Sequence, residues 1–242
     1  MRKSQIKILY EDDDVLVLDK PAGIAVHDDL SGNQKYSLVD WILENRPKMK
    51  GVGEPINSDQ TMVLRSGIVH RLDKDTSGVL VLAKNSKAYG FLKRQFEERT
   101  VKKVYQAIVY GNLRNDSGII DRPIGRSKND FNSKATGSQA RGELREAVTY
   151  YKVLERFNGY SLLELRPKTG RTHQLRVHLK SLSHPIVCDS VYAEGLPCPQ
   201  GLKRQALHAF SIEFKLPSLK EIKVEAPIPA DFKKALANIS QL

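Results

Sequence analysis

Two apolar-alternating runs, Ala147–Leu154 and Tyr160–Arg166, face each other across Asn158-Gly159, and this pairing limits the fold more than any other feature. Asn-Gly accepts positive φ at both central residues of a tight turn, so the chain reverses and its flanks lie together as antiparallel strands. The pattern recurs. Ile6–Tyr10 and Val15–Asp19 are short strands separated by the acidic turn Glu11-Asp12-Asp13-Asp14, and Lys20-Pro21-Ala22-Gly23 ends the second as a Pro-x-Gly turn should. Ile68–Leu72 and Val79–Leu82 read as strands around the polar segment Asp73–Gly78, followed by Val101–Tyr110 and by strands near 206–215 and 221–225.

Helical spacing fills the intervals. Ser37 caps a predicted helix to about Glu44 with Leu38, Trp41 and Ile42 on one stripe, and Asn85 caps another through Ala88, Phe91, Leu92 and Phe96. Thr172 is the expected cap of a helix to about Leu182, its Leu175, Leu179 and Leu182 inward and His184-Pro185 ending it. Asp231–Ile239 makes a closing amphipathic helix. Residues 46–62 read as an exposed basic loop, and 112–145 as an exposed excursion or flexible hairpin. Strands linked by tight turns and separated by single helices give an α+β class with a mixed, largely antiparallel sheet flanked by helices. The expectation is one domain over residues 1–242.

Charge narrows the partners. Thirty-nine Lys and Arg oppose 28 acidic residues, a net +11 over 242 residues. A polyanion satisfies that balance, whether RNA, DNA or an acidic membrane, and a basic surface kept for solubility is the plain alternative. No stretch reaches the ~18 apolar residues of a membrane span, and the N-terminus lacks an apolar signal core. Cys188 and Cys198 are too few for a disulfide framework, and are expected as one buried residue and one loop residue in a reducing, cytoplasmic setting.

Three segments carry chemistry. In His70-Arg71-Leu72-Asp73-Lys74-Asp75-Thr76-Ser77-Gly78 the end of a strand delivers Asp73 beside basic neighbours that keep a carboxylate ionised and attract phosphate. Spacing alone does not separate that from a polar loop with a salt bridge. In Arg166-Pro167-Lys168-Thr169-Gly170-Arg171-Thr172-His173-Gln174-Leu175-Arg176-Val177-His178 a glycine turn meets a helix start crowded with cations, a fit for phosphate or a solvated basic face. His173 and His178 are five apart, a poor spacing for a helical zinc pair. On the strand around Lys103–Val109, Tyr105 shares a face with Ala107 and Val109, as an ordinary core or edge tyrosine also would. The acids Glu11–Asp14, and the pair Asp73 and Asp75, lack the company a metal site needs, and no metal is expected.

In order, these segments resemble the RluA family of RNA pseudouridine synthases. Asp19-Lys20-Pro21-Ala22-Gly23-Ile24 through Val26-His27 looks like its opening motif, His70-Arg71-Leu72-Asp73 with Thr76-Ser77-Gly78 like its catalytic signature, and Lys103-x-Tyr105-x-Ala107 like its second motif. Thr169-Gly170-Arg171-x-His173-Gln174-Leu175-Arg176-x-His178 resembles the third, with shorter matches at Asp121-x-Pro123-Ile124-Gly125, Glu146-Ala147-Val148-Thr149 and Leu207-His208-Ala209.

The resemblance implies a catalytic domain of two similar halves with the active cleft between them. It implies Asp73 as the catalytic carboxylate at the target uridine, Tyr105 stacked on the base, and Arg176 as the partner of Asp73. Arg71 would fill the space of the flipped-out base, and His70, Arg171 and Lys20 would also contact RNA. The expected partner is structured ribosomal or transfer RNA, with no cofactor, no metal, no membrane and no obligatory protein partner for a monomer. Only about twenty residues precede the first motif, where many relatives carry an RNA-binding domain, so the basic loops at 46–62 and 126–145 are the expected RNA contacts. A non-catalytic RNA-binding protein accounts for the charge but not for Asp73, Tyr105 and Arg176 together, and a metal-dependent nuclease is the other rival.

Overall fold

A computed structural model describes residues 6–27, 36–54, 56–58, 61–63, 66–128, 130 and 133–241. The chain divides into two compact units, Met1–Lys102 with Ser211–Pro227 and Lys103–Phe210 with Ile228–Leu242.

In the first unit β1 (Lys7–Glu11) runs antiparallel to β2 (Val15–Lys20), Lys7 opposite Asp19. The acidic turn between them is internally bonded. Asp12 Oδ1 accepts the N–H groups of Asp14 and Val15 at 2.9 and 2.6 Å. Glu11 meets Arg46 at 2.7 Å and Lys84 at 3.0 Å, and the Arg46 hydrogen bond above all pulls its pKa down to about 2. The first helix, α1 (Leu38–Asn45), starts in a capping box in which Ser37 Oγ accepts from Asp40 N–H and the Asp40 carboxylate accepts from Ser37 N–H. Leu38 and Ile42 are buried as the stripe requires, and Trp41 is half-buried.

The expected loop at 46–62 holds structure. Pro47–Met49 form a single 3-10 turn that buries Met49, and β3 (Ile56–Ser58) pairs with β4 (Thr61–Val63). Met49 and Val52 provide apolar surface to bury, and Pro47 suits the first position of a helical turn. Residues 55, 59 and 60 of that loop lie outside the described residues.

The next strand, β5 (Ser77–Ala83), is buried along its length and pairs with β2, Lys20 opposite Gly78. Helix α2 (Ser86–Glu97) follows, with Asn85 accepting from Ala88 N–H at 2.9 Å. One expected strand does not form. Of Ile68–Leu72 only Ile68 bridges β5, at Leu82, and Val81 N–H donates instead to His70 Nε2 at 2.9 Å. A side chain takes the place of the ladder, so Asp73 lies in a turn and not at a strand end.

The second unit opens with β6 (Lys102–Tyr110), whose first residue belongs to the first unit. The expected excursion at 112–145 is ordered into β7 (Ser117–Asp121) and a small antiparallel sheet of β8 (Ile124–Ser127), β9 (Lys134–Thr136) and β10 (Ala140–Arg145). Isolated apolar residues suffice for this, since Ile120, Ile124 and Ala135 are all buried. Residues 129, 131 and 132 lie outside the described residues. The hairpin forms at the expected place, β11 (Val148–Phe157) against β12 (Tyr160–Pro167), but only Gly159, at φ +77°, takes a positive φ and Asn158 does not. It pairs on one side with β7 and on the other with β6.

Helix α3 (Gln174–Ser181) is capped by His173 at φ +57°, not by Thr172. Strand β13 (Leu207–Lys215) continues into the first unit, where β14 (Glu221–Glu225) pairs with it, and α4 (Ala230–Ile239) closes the chain. The core of the second unit gathers Ala107, Ile108 and Val109 of β6, Leu163 and Leu165 of β12, Leu175 and Leu179 of α3, and Phe232 of α4. The cysteines, expected as one buried and one loop residue, are joined by a disulfide with Cα atoms 5.3 Å apart, within the usual span. A spacing of ten residues could not reveal that their loop turns back on itself.

Gly67 controls where the segment before Asp73 can run. Its N–H donates to Val52 O and its carbonyl accepts from Ala83 N–H, both at 2.8 Å, with φ at +83°. A Cβ there would lie 2.0 Å from Ala83 O. Gly67→Ala is therefore expected to destabilise the protein by about 3 kcal/mol or more, from the positive φ and the clash together. Chemical denaturation of both proteins measures it, and a loss under about 1 kcal/mol would mean that this backbone has room to yield.

Candidate active site

Asp73 lies in a turn closed by its own carbonyl, which accepts Thr76 N–H at 3.1 Å. Leu72 and Thr76 on either side are buried, Asp73 is half-buried, and Arg71 and Lys74 are exposed. Asp73 therefore sits on a fixed backbone, with cations beside it in sequence. The next carbonyl, that of Lys74, accepts from Gly23 N–H at 2.9 Å and from Lys20 Nζ at 3.0 Å.

Lys20, expected to reach RNA, does not present its charge to solvent. It is 0% exposed, and Nζ donates to the carbonyls of Pro21 at 3.0 Å, Ile24 at 2.8 Å and Lys74 at 3.0 Å. Three acceptors match the three N–H groups of an ammonium. Its work is to tie the Lys-Pro-Ala-Gly turn to the Asp73 turn. His70 is drawn inward as well, its Nε2 accepting from β5 and its ring stacked on Phe96 at 4.6 Å.

In the second unit Tyr105 stands on β6 opposite Leu165, half-buried against the core and on the face of Ala107 that the strand period predicts. Arg176 is on α3 and buried, its Nε and Nη2 donating to Asp189 Oδ2 and Oδ1 at 2.7 and 2.9 Å. The Arg171 Nε–H donates to Glu146 O at 3.0 Å from a half-exposed position. Asp189 and Tyr192, which hold Arg176, were not singled out by sequence. An Asp that accepts the N–H groups two and three residues further on is a local turn signal, but nothing local links it to Arg176.

Helix α3 is positioned by a chain of buried hydrogen bonds. Val148 N–H donates to Thr169 Oγ1 at 3.0 Å, and that hydroxyl donates to Gln174 Oε1 at 2.7 Å. Gln174 Nε2 donates to Thr149 Oγ1 at 3.0 Å, which lies 2.9 Å from His178 Nδ1, and His178 Nε2 lies 3.0 Å from Arg122 O. A carbonyl only accepts, so His178 carries its proton on Nε2 and Nδ1 accepts from Thr149. Among the described residues no three His, Cys, Asp or Glu are grouped to hold a metal ion.

Burial pushes the His178 pKa below its usual value. A histidine held neutral stabilises the fold fully above its unfolded pKa, near 6.5, and loses that contribution as pH falls through the lower folded value. Stability is therefore expected to drop below about pH 6.5, and the drop attributable to this group to vanish in His178→Gln. Urea denaturation of both proteins between pH 5 and 8 tests this, and parallel curves would refute it.

Comparison with known proteins places these turns and helices in context. Residues 14–181 match the family model described as RNA pseudouridylate synthase. A ribosomal large subunit pseudouridine synthase D of Nitrosomonas europaea is 41% identical over 244 residues, covering 98% of this chain and 66% of its own length. An uncharacterised RNA pseudouridine synthase of Bacillus subtilis, YlyB, is 39% identical over 235 residues, covering 97% of this chain and 73% of its own. This chain thus spans about two thirds of the Nitrosomonas relative. Among solved structures, human RNA pseudouridylate synthase domain containing 1 superposes with a TM-score of 0.74 at 29% identity, over 93% of this chain and 84% of that one. By the span of the family model and by these identities along nearly its whole length, the chain belongs to the RNA pseudouridylate synthase family.

Proposed function

We propose that this chain converts uridine to pseudouridine in large-subunit ribosomal RNA, with Asp73 as the catalytic carboxylate. The observation that carries the reading is the Asp73 turn, a half-exposed carboxylate on a backbone pinned through Thr76, Gly23 and the buried Lys20 ammonium. The ribosomal substrate is supported by the names of relatives such as the Nitrosomonas and Xanthomonas synthases, of which this chain matches 66% and 70%. The cytoplasm is the compartment that this substrate implies. The reading includes a monomer that needs no protein partner.

The reaction breaks the bond between uracil and ribose, turns the base and joins its carbon to the same sugar. Nothing is consumed, so side chains suffice. The uridine first leaves its stack, at a cost of a few kcal/mol. In this reading Arg71, exposed beside the catalytic turn, fills the vacated space, and Tyr105 stacks on the base, a contact worth roughly 1–3 kcal/mol. Arg176 supplies counter-charge to Asp73. Attack on the base, attack on the sugar and removal of the 2′ proton all begin from an ionised carboxylate. Asp73→Asn should then abolish turnover while folding and RNA affinity are retained. Pseudouridine mapping of RNA from cells lacking the protein, complemented with wild type or Asp73→Asn, measures this. Complementation by the variant would overturn the catalytic assignment, and loss of pseudouridine from transfer RNA alone would redirect the substrate.

RNA affinity in this reading comes from cations spread over the chain. Lys48 and Lys50 flank the buried Met49, and Arg126 and Lys128 lie on and just after β8, all four exposed. Each neutralised phosphate releases counterions and adds roughly 0.7–0.9 to the slope of log affinity against log salt. Replacing Lys48 and Lys50, or Arg126 and Lys128, with Ala should flatten that slope by about 1.5 and leave single-turnover rates at saturating RNA unchanged. Unchanged slopes in both double variants would move the RNA surface elsewhere.

A further inference from the structure

Arg176 is 5% exposed and Asp189 1%, an ion pair taken almost wholly out of water. Such pairs regain their desolvation cost poorly, and apolar residues of similar size often pack as well or better. A buried arginine fork is better explained by the orientation it fixes. Here the guanidinium is restrained twice. Asp189 engages Nε and Nη2 at 2.7 and 2.9 Å, and the guanidinium carbon lies over the Tyr192 ring, 5.1 Å from its centroid.

The restraints are themselves fixed. Asp189 Oδ1 also accepts the N–H groups of Val191 and Tyr192 at 3.0 and 3.1 Å. The Tyr192 hydroxyl accepts Lys134 N–H at 2.9 Å and lies 3.0 Å from His173 Nδ1. His173 is the left-handed cap residue from which α3 starts, three positions before Arg176. The segment carrying Asp189 is tied to β6 by Val187 N–H donating to Ile108 O at 2.9 Å, and by Tyr110 N–H donating to Pro185 O at 3.1 Å. Strand β6 also carries Tyr105.

We propose that Asp189 and Tyr192 are positioning residues for the isomerisation, holding the Arg176 guanidinium at one angle relative to the strand of Tyr105. The inference rests on the reading that Arg176 belongs to the catalytic set. A lysine at 176 keeps the charge but has neither the planar fork nor the stacking face, so it removes what Asp189 and Tyr192 act upon.

The test is a double-mutant cycle in single-turnover rate, with total RNA from cells lacking the protein as substrate and pseudouridine as the readout. Asp189→Asn should slow the rate at saturating RNA roughly tenfold to hundredfold, as an ångström-scale misplacement does, without raising the RNA concentration for half-saturation. In the Arg176→Lys background the same change should cost nothing further, since coupled residues are non-additive. A merely structural role lowers the folded fraction and slows both backgrounds by the same factor, and that result would overturn the proposal, as would Asp189→Asn within twofold of wild type. If Asp189→Asn does not fold, Tyr192→Phe, which loses only the hydroxyl, is run through the same cycle. It should slow wild type several-fold and leave Arg176→Lys unaltered, and equal slowing would again refute the idea. Asp73→Asn in the same assay separates the two readings. Activity there sinks the catalytic assignment itself, whereas an inactive Asp73→Asn beside an unimpaired Asp189→Asn sinks only the positioning role.

Discussion

A lysine ammonium enters a protein interior only when its N–H groups find acceptors, and Lys20 finds three carbonyls from three different points of the chain. Two of them belong to its own turn and the third to Lys74, beside Asp73. The consequence is mechanical. Were the Asp73 turn to drift, one N–H of a fully buried cation would lose its partner, and an unsatisfied buried charge costs several kcal/mol. Much of what surrounds the turn follows from the same need. Gly23 N–H joins the ammonium on the Lys74 carbonyl, and His70 closes a ladder position on β5 that the chain itself does not reach. The Asp73 carboxylate is thus carried on a backbone held at several points.

The second unit reaches rigidity by a different route. Thr169, Gln174, Thr149 and His178 pass hydrogen bonds in one direction from a backbone N–H to a backbone carbonyl. Each hydroxyl both accepts and donates, and reversing any one would set two donors or two lone pairs against each other. A satisfied chain of this kind specifies one arrangement of α3 against β11, because a partly satisfied one is worse than an apolar core. It also accounts for a segment that looked like a cluster of cations. Arg171 and Arg176 stand out by charge, yet Gln174 and His178 set the helix on which they ride.

Local signals were legible, and long-range ones were not. Asn158-Gly159, the Ser37 and Asn85 caps and the Pro-x-Gly turn after Lys20 are written within four or five residues, and each formed as the sequence indicates. The Tyr105 face followed from the strand period. Three misreadings have a common cause, a side chain or distant partner replacing what the backbone was expected to do. Ile68–Leu72 has strand composition, but His70 answers Val81 in place of a ladder bond. Residues 112–145 are polar enough to read as an excursion, yet a few buried apolar residues order four short strands there. The resemblance put Lys20 at RNA, and only the fold shows three carbonyls converging on its ammonium. The helix cap moved from Thr172 to His173 because His173 accepts a positive φ and its ring then reaches Tyr192.

A synthase of this family has to extract a stacked base, and the cost of a few kcal/mol must be met by contacts made only after the base has moved. Groups that recoil when the base arrives would give back part of that gain as reorganisation. Side chains fixed beforehand give back little, which is the advantage of preorganised charge in a catalytic site. The division of labour in this chain fits that constraint. In the proposed reading the residues assigned to meet RNA, Asp73, Tyr105 and Arg71, are half-buried or exposed, whereas Lys20, which ties down the Asp73 turn, Gln174 and His178, which set α3, and Asp189, which holds Arg176, are buried and each make several hydrogen bonds. In that reading Arg176 is the exception, a member of the proposed catalytic set placed among the buried ones. Its charge costs more to hold there than at the surface, and a guanidinium tolerates this better than an ammonium because it is more weakly hydrated and pairs through two parallel bonds. That is a physical reason for arginine rather than lysine at this position, independent of which RNA is bound.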